Sequence, residues 1–273
     1  RMIKSFLREL EAGASYQFAY LESLNVPFPI SDNDHLPRNL LWDLKFFMAL
    51  RGYSIPSGIF YRDVYWREPV LKYEITNWFK RLVKISFHWL EWFVMSRYVD
   101  VLFIPTMGVL KYLPRGFNRE RIYALEPGFN ISNLKYAPNL DKRLRLLYVG
   151  GVTPPYYDLR PLLSYVCAKE SLELVLCTRK EEWNDNLRFY EDFDCERIRV
   201  IHARSNELID YYSSTDLVLE LREPSGYFKE AFPIKIAEAF GYGIPIICFE
   251  GSYIAEFIKD KKGVFTMKDV LKK

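Results

Sequence analysis

Metal and redox chemistry have little to work with in this chain. Its 273 residues hold four cysteines and three histidines. Cys167, Cys177, Cys195 and Cys248 include no close pair with zinc-site spacing, so neither a cofactor nor a metal site is expected. Cys177 and Cys248 sit in apolar, strand-like runs, which predicts buried thiols in a reducing, cytoplasmic setting. No apolar run reaches the roughly 18 residues of a membrane-spanning helix, and no signal peptide is expected. Arg1 ahead of Met2 leaves room for a fragment or an added residue. Charge of one sign is also lacking. A net charge of +3 is too small to argue for nucleic acid. Its distribution says more. Residues 1–140 carry 18 Lys and Arg against 13 Asp and Glu, whereas residues 141–273 carry 20 against 22. A basic, aromatic first half predicts a face for anionic lipid or an anionic acceptor.

What is present is core-forming material. Apolar residues make up 49% of the chain, and a prior of about 150 residues per domain predicts two domains. In the first half, apolar spacing predicts helices over 2–12, 40–51, 71–98 and 108–113, with strands over 16–22, 58–63 and 99–105. In the second half, strands are expected at 144–149, 172–177, 198–201, 216–221 and 244–249, with helices at 158–169 and 205–213 between them. Such alternation builds parallel sheets covered by helices. The 71–98 segment interleaves Trp78, Trp89 and Trp92 with Lys80, Arg81, Lys84 and Arg97. It reads either as a helix on a bilayer interface or as a core helix with one wet face, and is too charged to span a membrane.

The stretch from Glu230 to Cys248 organises the second half. Pro233 suits the first turn of a helix, Gly241 and Gly243 suit its end, and 244–249 reads as a buried strand. Lys235 and Glu238 are three apart and share a face. Glu230 lies in the loop before the helix, fed by residues 222–229, where Gly226 predicts mobility and Tyr227 offers a ring to a sugar or base. One reading gathers two carboxylates and an ammonium around a helix end that favours an anion. The other is a surface helix with a Lys235–Glu238 pair.

Glu230, seven residues, Glu238, together with Phe232-Pro233, Lys235 and Gly243-x-Pro245, resembles the donor-sugar motif of GT-B glycosyltransferases, most closely family 4. The resemblance implies that Glu230 contacts hydroxyls of the donor sugar and Glu238 the ribose, while amides around Phe232 and Pro233 face the sugar and diphosphate. It implies that Gly150-Gly151, after the strand at 144–149, let the backbone approach the diphosphate. The family's basic residue downstream is replaced by Thr153-Pro154-Pro155, so Arg179, Lys180 and above all Lys235 are expected to supply the cation. His202 reads as a nucleobase edge or as a turn residue. Asp63 matches the Asp of a family His-Asp pair, with Arg62 in place of the His. It is expected either to orient or deprotonate the acceptor hydroxyl, or to bond the amides of the next turn. Asp32, Asp34 and His35 are a further acceptor candidate or a solvated loop.

The implied fold is α/β, GT-B: two Rossmann-like, doubly wound domains facing across a cleft, the first short or incomplete. Residues 1–135 would bind the acceptor and residues 136–273 the nucleotide-sugar. The implied activity is metal-independent, configuration-retaining transfer of a sugar from a UDP-, GDP- or TDP-linked donor to a hydroxyl of a glycan, lipid-linked or protein acceptor, in polysaccharide or glycan biosynthesis. Peripheral membrane contact through 71–98, at the inner face, goes with it. An inactive GT-B binding subunit and a nucleotide-sugar epimerase or hydrolase of the same fold are the alternatives.

Overall fold

A computed structural model of the chain describes residues 2–24, 26–31, 37, 42–69, 75, 77–128, 143–193, 195–204, 207–257, 259 and 264–267. Asp32, Asp34 and His35 lie outside the described residues. The chain divides into two compact units, Arg1–Glu126 and Pro127–Lys273.

The first unit carries a four-stranded parallel sheet of β1 (Ala19–Glu22), β2 (Ser57–Phe60), β3 (Val101–Ile104) and β4 (Ile122–Ala124), in that spatial order. Helices α1 (Met2–Glu11), α2 (Trp42–Gly52) and α3 (Trp78–Tyr98) accompany it. Ile59, Leu102 and Ile104 of the sheet are buried, as are Phe47 and Leu50 of α2 and Met95 of α3. The start of α3 is set by Asn77, whose side chain accepts from the amides of Phe79 and Lys80. One face of α3 buries His88, Glu91, Trp92, Val94 and Met95. The opposite face exposes Phe79, Leu82, Trp89, Leu90 and Phe93, so it is apolar where a wet core helix would be polar. The helix expected at 108–113 is a 3-10 segment, Met107–Tyr112.

Six parallel strands form the second unit: β5 (Leu144–Val149), β6 (Leu172–Cys177), β7 (Ile198–Ile201), β8 (Leu217–Glu220), β9 (Ile246–Phe249) and β10 (Val264–Met267). Their order across the sheet is β10-β9-β8-β5-β6-β7. Successive side chains of β5 go to opposite faces. Leu147 joins a core with Val218, Ile246 and Cys248 under helices α6 (Leu208–Ser213) and α7 (Ile234–Gly241). Leu146 and Tyr148 join a second core with Leu174 and Leu176 under α4 (Arg160–Ala168). Helices on both faces explain why Leu, Val and Ile dominate these strands, with no alternation of apolar and polar residues along most of their length. A further helix, α5 (Lys180–Asn186), was not legible in the apolar spacing, because its sequence KEEWNDN has a single apolar residue. A short α8 (Tyr253–Phe257) precedes β10.

The strand order reverses at β5. The chain steps outward through β6 and β7, then returns to place β8 on β5's other side. In open parallel sheets the crevice beyond the carboxyl ends at such a reversal is where ligands bind. The described strands of the first unit advance in one direction and have no reversal.

Candidate functional site

The carboxyl ends of β5 and β8 meet the start of α7. Pro233 is the N-cap of that helix rather than part of its first turn, with φ −69° and ψ 136°. No side chain caps α7; its Ile236 amide donates to the Pro233 carbonyl at 3.0 Å, and the amides ahead of it stand at the end of the helix that favours an anion. At its far end, the amides of Ile244 and Gly243 donate to the carbonyls of Ala239 and Phe240, at 2.9 and 3.0 Å. Gly243 takes φ +69° there, the left-handed stop that glycine tolerates best.

Lys235 does not pair with Glu238. Its Nζ lies 3.0 Å from Glu220 Oε2 and 4.7 Å from the centre of the Tyr148 ring, with only 11% of the side chain exposed. Glu220 ends β8 and is itself buried. The Arg222 Nε approaches Glu220 Oε1 at 3.6 Å. Burial alone would raise the Glu220 carboxyl, but the charges of Lys235 and Arg222 outweigh it and hold the group below the ordinary glutamate value. Burial, helped by Arg222, holds Lys235 below the usual lysine value despite Glu220. Two cations, Lys235 and Arg222, therefore sit at the reversal around Glu220.

The glycines matter here for a spatial reason. A Cβ on Gly150 would stand 2.9 Å from the Tyr148 hydroxyl and 3.2 Å from Lys235 Nζ. A Cβ on Gly151 would stand 2.9 Å from Glu182 Oε1 and 3.0 Å from the Tyr157 ring. Tyr148 donates its hydroxyl to the Gly151 carbonyl at 2.7 Å, and Glu182 accepts from the Val152 amide at 2.9 Å and the Thr153 hydroxyl at 3.1 Å. The loop is thus tied down beneath the ammonium.

The other expected residues fall as follows. Glu230 ends the 3-10 segment Gly226–Glu230 and is half-buried. That segment is ordered secondary structure where a mobile loop was expected, and the Tyr227 ring is buried rather than presented to a ligand. Phe232 is buried against Tyr253 and Phe257. Glu238 accepts from the Tyr212 hydroxyl at 3.0 Å. Arg179 and Lys180 follow β6 and are exposed, and Arg179, at 83% exposure, pairs with Glu182 at 3.3 Å. His202 Nδ1 lies 2.9 Å from the Thr178 carbonyl, the turn role. Asp63 accepts from the Tyr65 amide at 3.0 Å, the structural one of its two expected roles. Arg62 reaches Glu22 at 3.2 Å and its amide donates to Ser23.

The structure therefore brings Gly150, Gly151 and Lys235 into one cluster. It adds Glu220 and Arg222, which the sequence reading passed over. The available signal was a carboxylate closing an apolar strand, Leu217-Val218-Leu219-Glu220, two residues before an arginine. The Arg222 guanidinium lies 5.1 Å from the Phe228 ring centre and 5.8 Å from that of Tyr157, which holds it at the edge of the glycine loop. Among the described residues, no group of three His, Cys, Asp or Glu side chains could hold a metal ion. No helix among them is long and apolar enough to cross a membrane.

No family model matches the sequence, and no curated protein matches it. Solved structures do share the architecture. Anabaena Alr3699/HepE in complex with UDP and glucose aligns over 98% of this chain and 67% of its own, at 12% identity and a TM-score of 0.61. The same protein with UDP-glucose aligns over 82% of this chain at 13% identity and a TM-score of 0.56, and this chain spans 62% of it. WaaG, a glycosyltransferase involved in lipopolysaccharide biosynthesis, aligns over 98% of this chain and 82% of its own, at 14% identity and a TM-score of 0.59. The fold is the α/β, parallel-sheet fold of the GT-B glycosyltransferases.

Proposed function

We propose that the chain is a glycosyltransferase whose second unit, with Gly150, Gly151, Arg222 and Lys235, binds a nucleotide-sugar. The observation that carries this is the Lys235 ammonium, seated over Gly150 at the one strand reversal of the described sheets, beside an uncapped helix start. When the bond from the anomeric carbon to the diphosphate breaks, negative charge grows on the leaving oxygen. Lys235, Arg222 and the first amides of α7 would stabilise that charge, while the acceptor oxygen bonds the anomeric carbon and releases its proton. Glu230 would accept hydrogen bonds from sugar hydroxyls and Glu238 from the ribose. HepE was solved with UDP and with UDP-glucose, so UDP is the first nucleotide to try. Retention of configuration, action on glycans and metal independence follow from the family resemblance. The exposed aromatic face of α3 supports the added proposal that the first unit, which would take the acceptor, rests on a bilayer interface.

The test is nucleotide release from a panel of UDP-, GDP- and TDP-sugars, with Glu230→Ala as control. Release that needs an acceptor and falls in Glu230→Ala supports the proposal. Absence of any nucleotide binding refutes it. A second reading, a GT-B subunit that binds donor without transferring it, is favoured by Asp63 and Arg62 being engaged within the first unit. Binding without release would select that reading.

A further inference from the structure

The first unit has a concavity that none of the roles above uses. It encloses about 510 Å³ beside α3, between the segments that follow β2 and β3. Its lining includes Arg67, Trp89, Lys111, Arg115 and Arg119, and no carboxylate. Like charges converging on one hollow repel each other, and a surface needed only for solubility would intersperse both signs.

The hollow is also built rather than incidental. Arg67 donates to the Tyr112 carbonyl, and its guanidinium lies 6.0 Å from the Trp89 ring centre. Trp89 is 47% exposed, yet its ring is held edge-on at 5.4 Å by buried Trp66, whose indole donates to the Tyr61 hydroxyl. The Arg115 carbonyl accepts from the Trp92 indole at 2.9 Å, and Gly116 turns there with φ +120° over Ser96. Asn118 holds the next turn through the Glu120 amide at 3.1 Å, which fixes the backbone of Arg119. One held guanidinium, Arg67, with Arg115 and Arg119 carried on a fixed backbone around the same hollow, suits a planar or tetrahedral oxyanion, and phosphate offers the most charge and the most acceptors.

We propose that this groove binds a phosphate or diphosphate group, and that the sugar acceptor therefore carries one. The first half of that statement stands without the transferase reading; the second half rests on it. The phosphate belongs to a soluble phosphorylated acceptor or to a lipid headgroup.

The experiment titrates inorganic pyrophosphate into the full chain, with UDP kept saturating to fill the second unit. Tryptophan fluorescence and calorimetry follow binding. A saturable signal is expected, and it should weaken at least about tenfold in Arg115→Ala/Arg119→Ala and at raised salt. Both side chains are exposed, and thermal melting checks that the variant folds. Sedimentation with vesicles of phosphatidylcholine, alone or with phosphatidic acid, separates the sources. Binding only to the acidic vesicles, displaced by pyrophosphate, assigns the phosphate to a headgroup. Pyrophosphate binding without vesicle binding assigns it to a soluble acceptor. No saturable signal, or one that survives the double substitution, overturns the proposal. UDP binding in the same samples reports on the donor site separately.

Discussion

Lys235 shows how one side chain can serve stability and chemistry together. Its ammonium balances the buried Glu220 carboxylate at 3.0 Å. Lys235→Ala removes the nearer of the two cations from that buried carboxylate and leaves only Arg222, at 3.6 Å, so stability should fall by roughly 3 kcal/mol. Nucleotide-sugar turnover should also fall, by about a hundredfold. The two losses can be separated. Adding Glu220→Gln removes the stranded charge, so Lys235→Ala/Glu220→Gln should regain much of the melting temperature without regaining turnover. Recovery of both would mean that Lys235 acts only as a strut. This pairing was invisible in the linear order, where Lys235 had a nearer carboxylate three positions away. Helical spacing names possible neighbours; the turn between β8 and α7 is what brings residue 220 to residue 235.

Two helix ends with the same hydrogen-bond pattern offer a matched test. Helix α2 stops with the Ile55 amide on the Leu50 carbonyl at 2.8 Å and the Ser54 amide on the Arg51 carbonyl at 3.1 Å. Ser54 takes φ +56° there and is exposed. At the end of α7 the same place holds Gly243. Ser54→Gly should therefore stabilise by up to about 1 kcal/mol, and Gly243→Ala should destabilise by about the same amount, in urea unfolding curves. Equal signs for the two would show that packing, not backbone conformation, decides these ends. Elements of this kind were largely readable from the chain. The strands 144–149, 172–177 and 198–201 match β5, β6 and β7 because each is mostly apolar, with Arg145, Glu173 and Arg199 as the single charged residue of each. Helix α5 and the turn at Gly226–Glu230 were not readable, because neither is defined by apolar spacing. The site was legible where backbone had to come close, at Gly150, Gly151 and Pro233. It was illegible where long-range pairing chose the partner, at Glu220 and Arg222.

At the scale of a whole unit, the buried pair His88 and Glu91 should shape the response to pH. Burial pushes the Glu91 carboxyl up to about 8, against the Phe28 amide that donates to it at 3.1 Å. Burial, and then Lys84, push the His88 ring down to about 3, with Asp63 opposing. Glu91 keeps its proton when folded, so its contribution is lost as pH rises from 4.5 toward 8. His88 stays neutral when folded, so its contribution is lost as pH falls from 6.5 toward 3. Between 4.5 and 6.5 the two slopes cancel. Above 6.5 only Glu91 acts, and the first unit should lose about 2 kcal/mol by pH 8. Glu91→Gln should flatten that decline in denaturant melts at the two pH values; an unchanged decline would assign it to other groups.

The seam between β5 and β8 is fastened where the strands begin by Arg145 and Asp216 at 3.1 Å, and beyond where they finish Lys235, held by Glu220, stands over the glycine loop that follows β5. Arg145 with Asp216, and the glycine loop with Lys235, each bring together residues from opposite sides of the chain's return. Cutting the polypeptide between β7 and α6 would leave two three-stranded fragments. One would keep the glycine loop and the other would keep both cations, so neither could hold a diphosphate until the pair had reassociated.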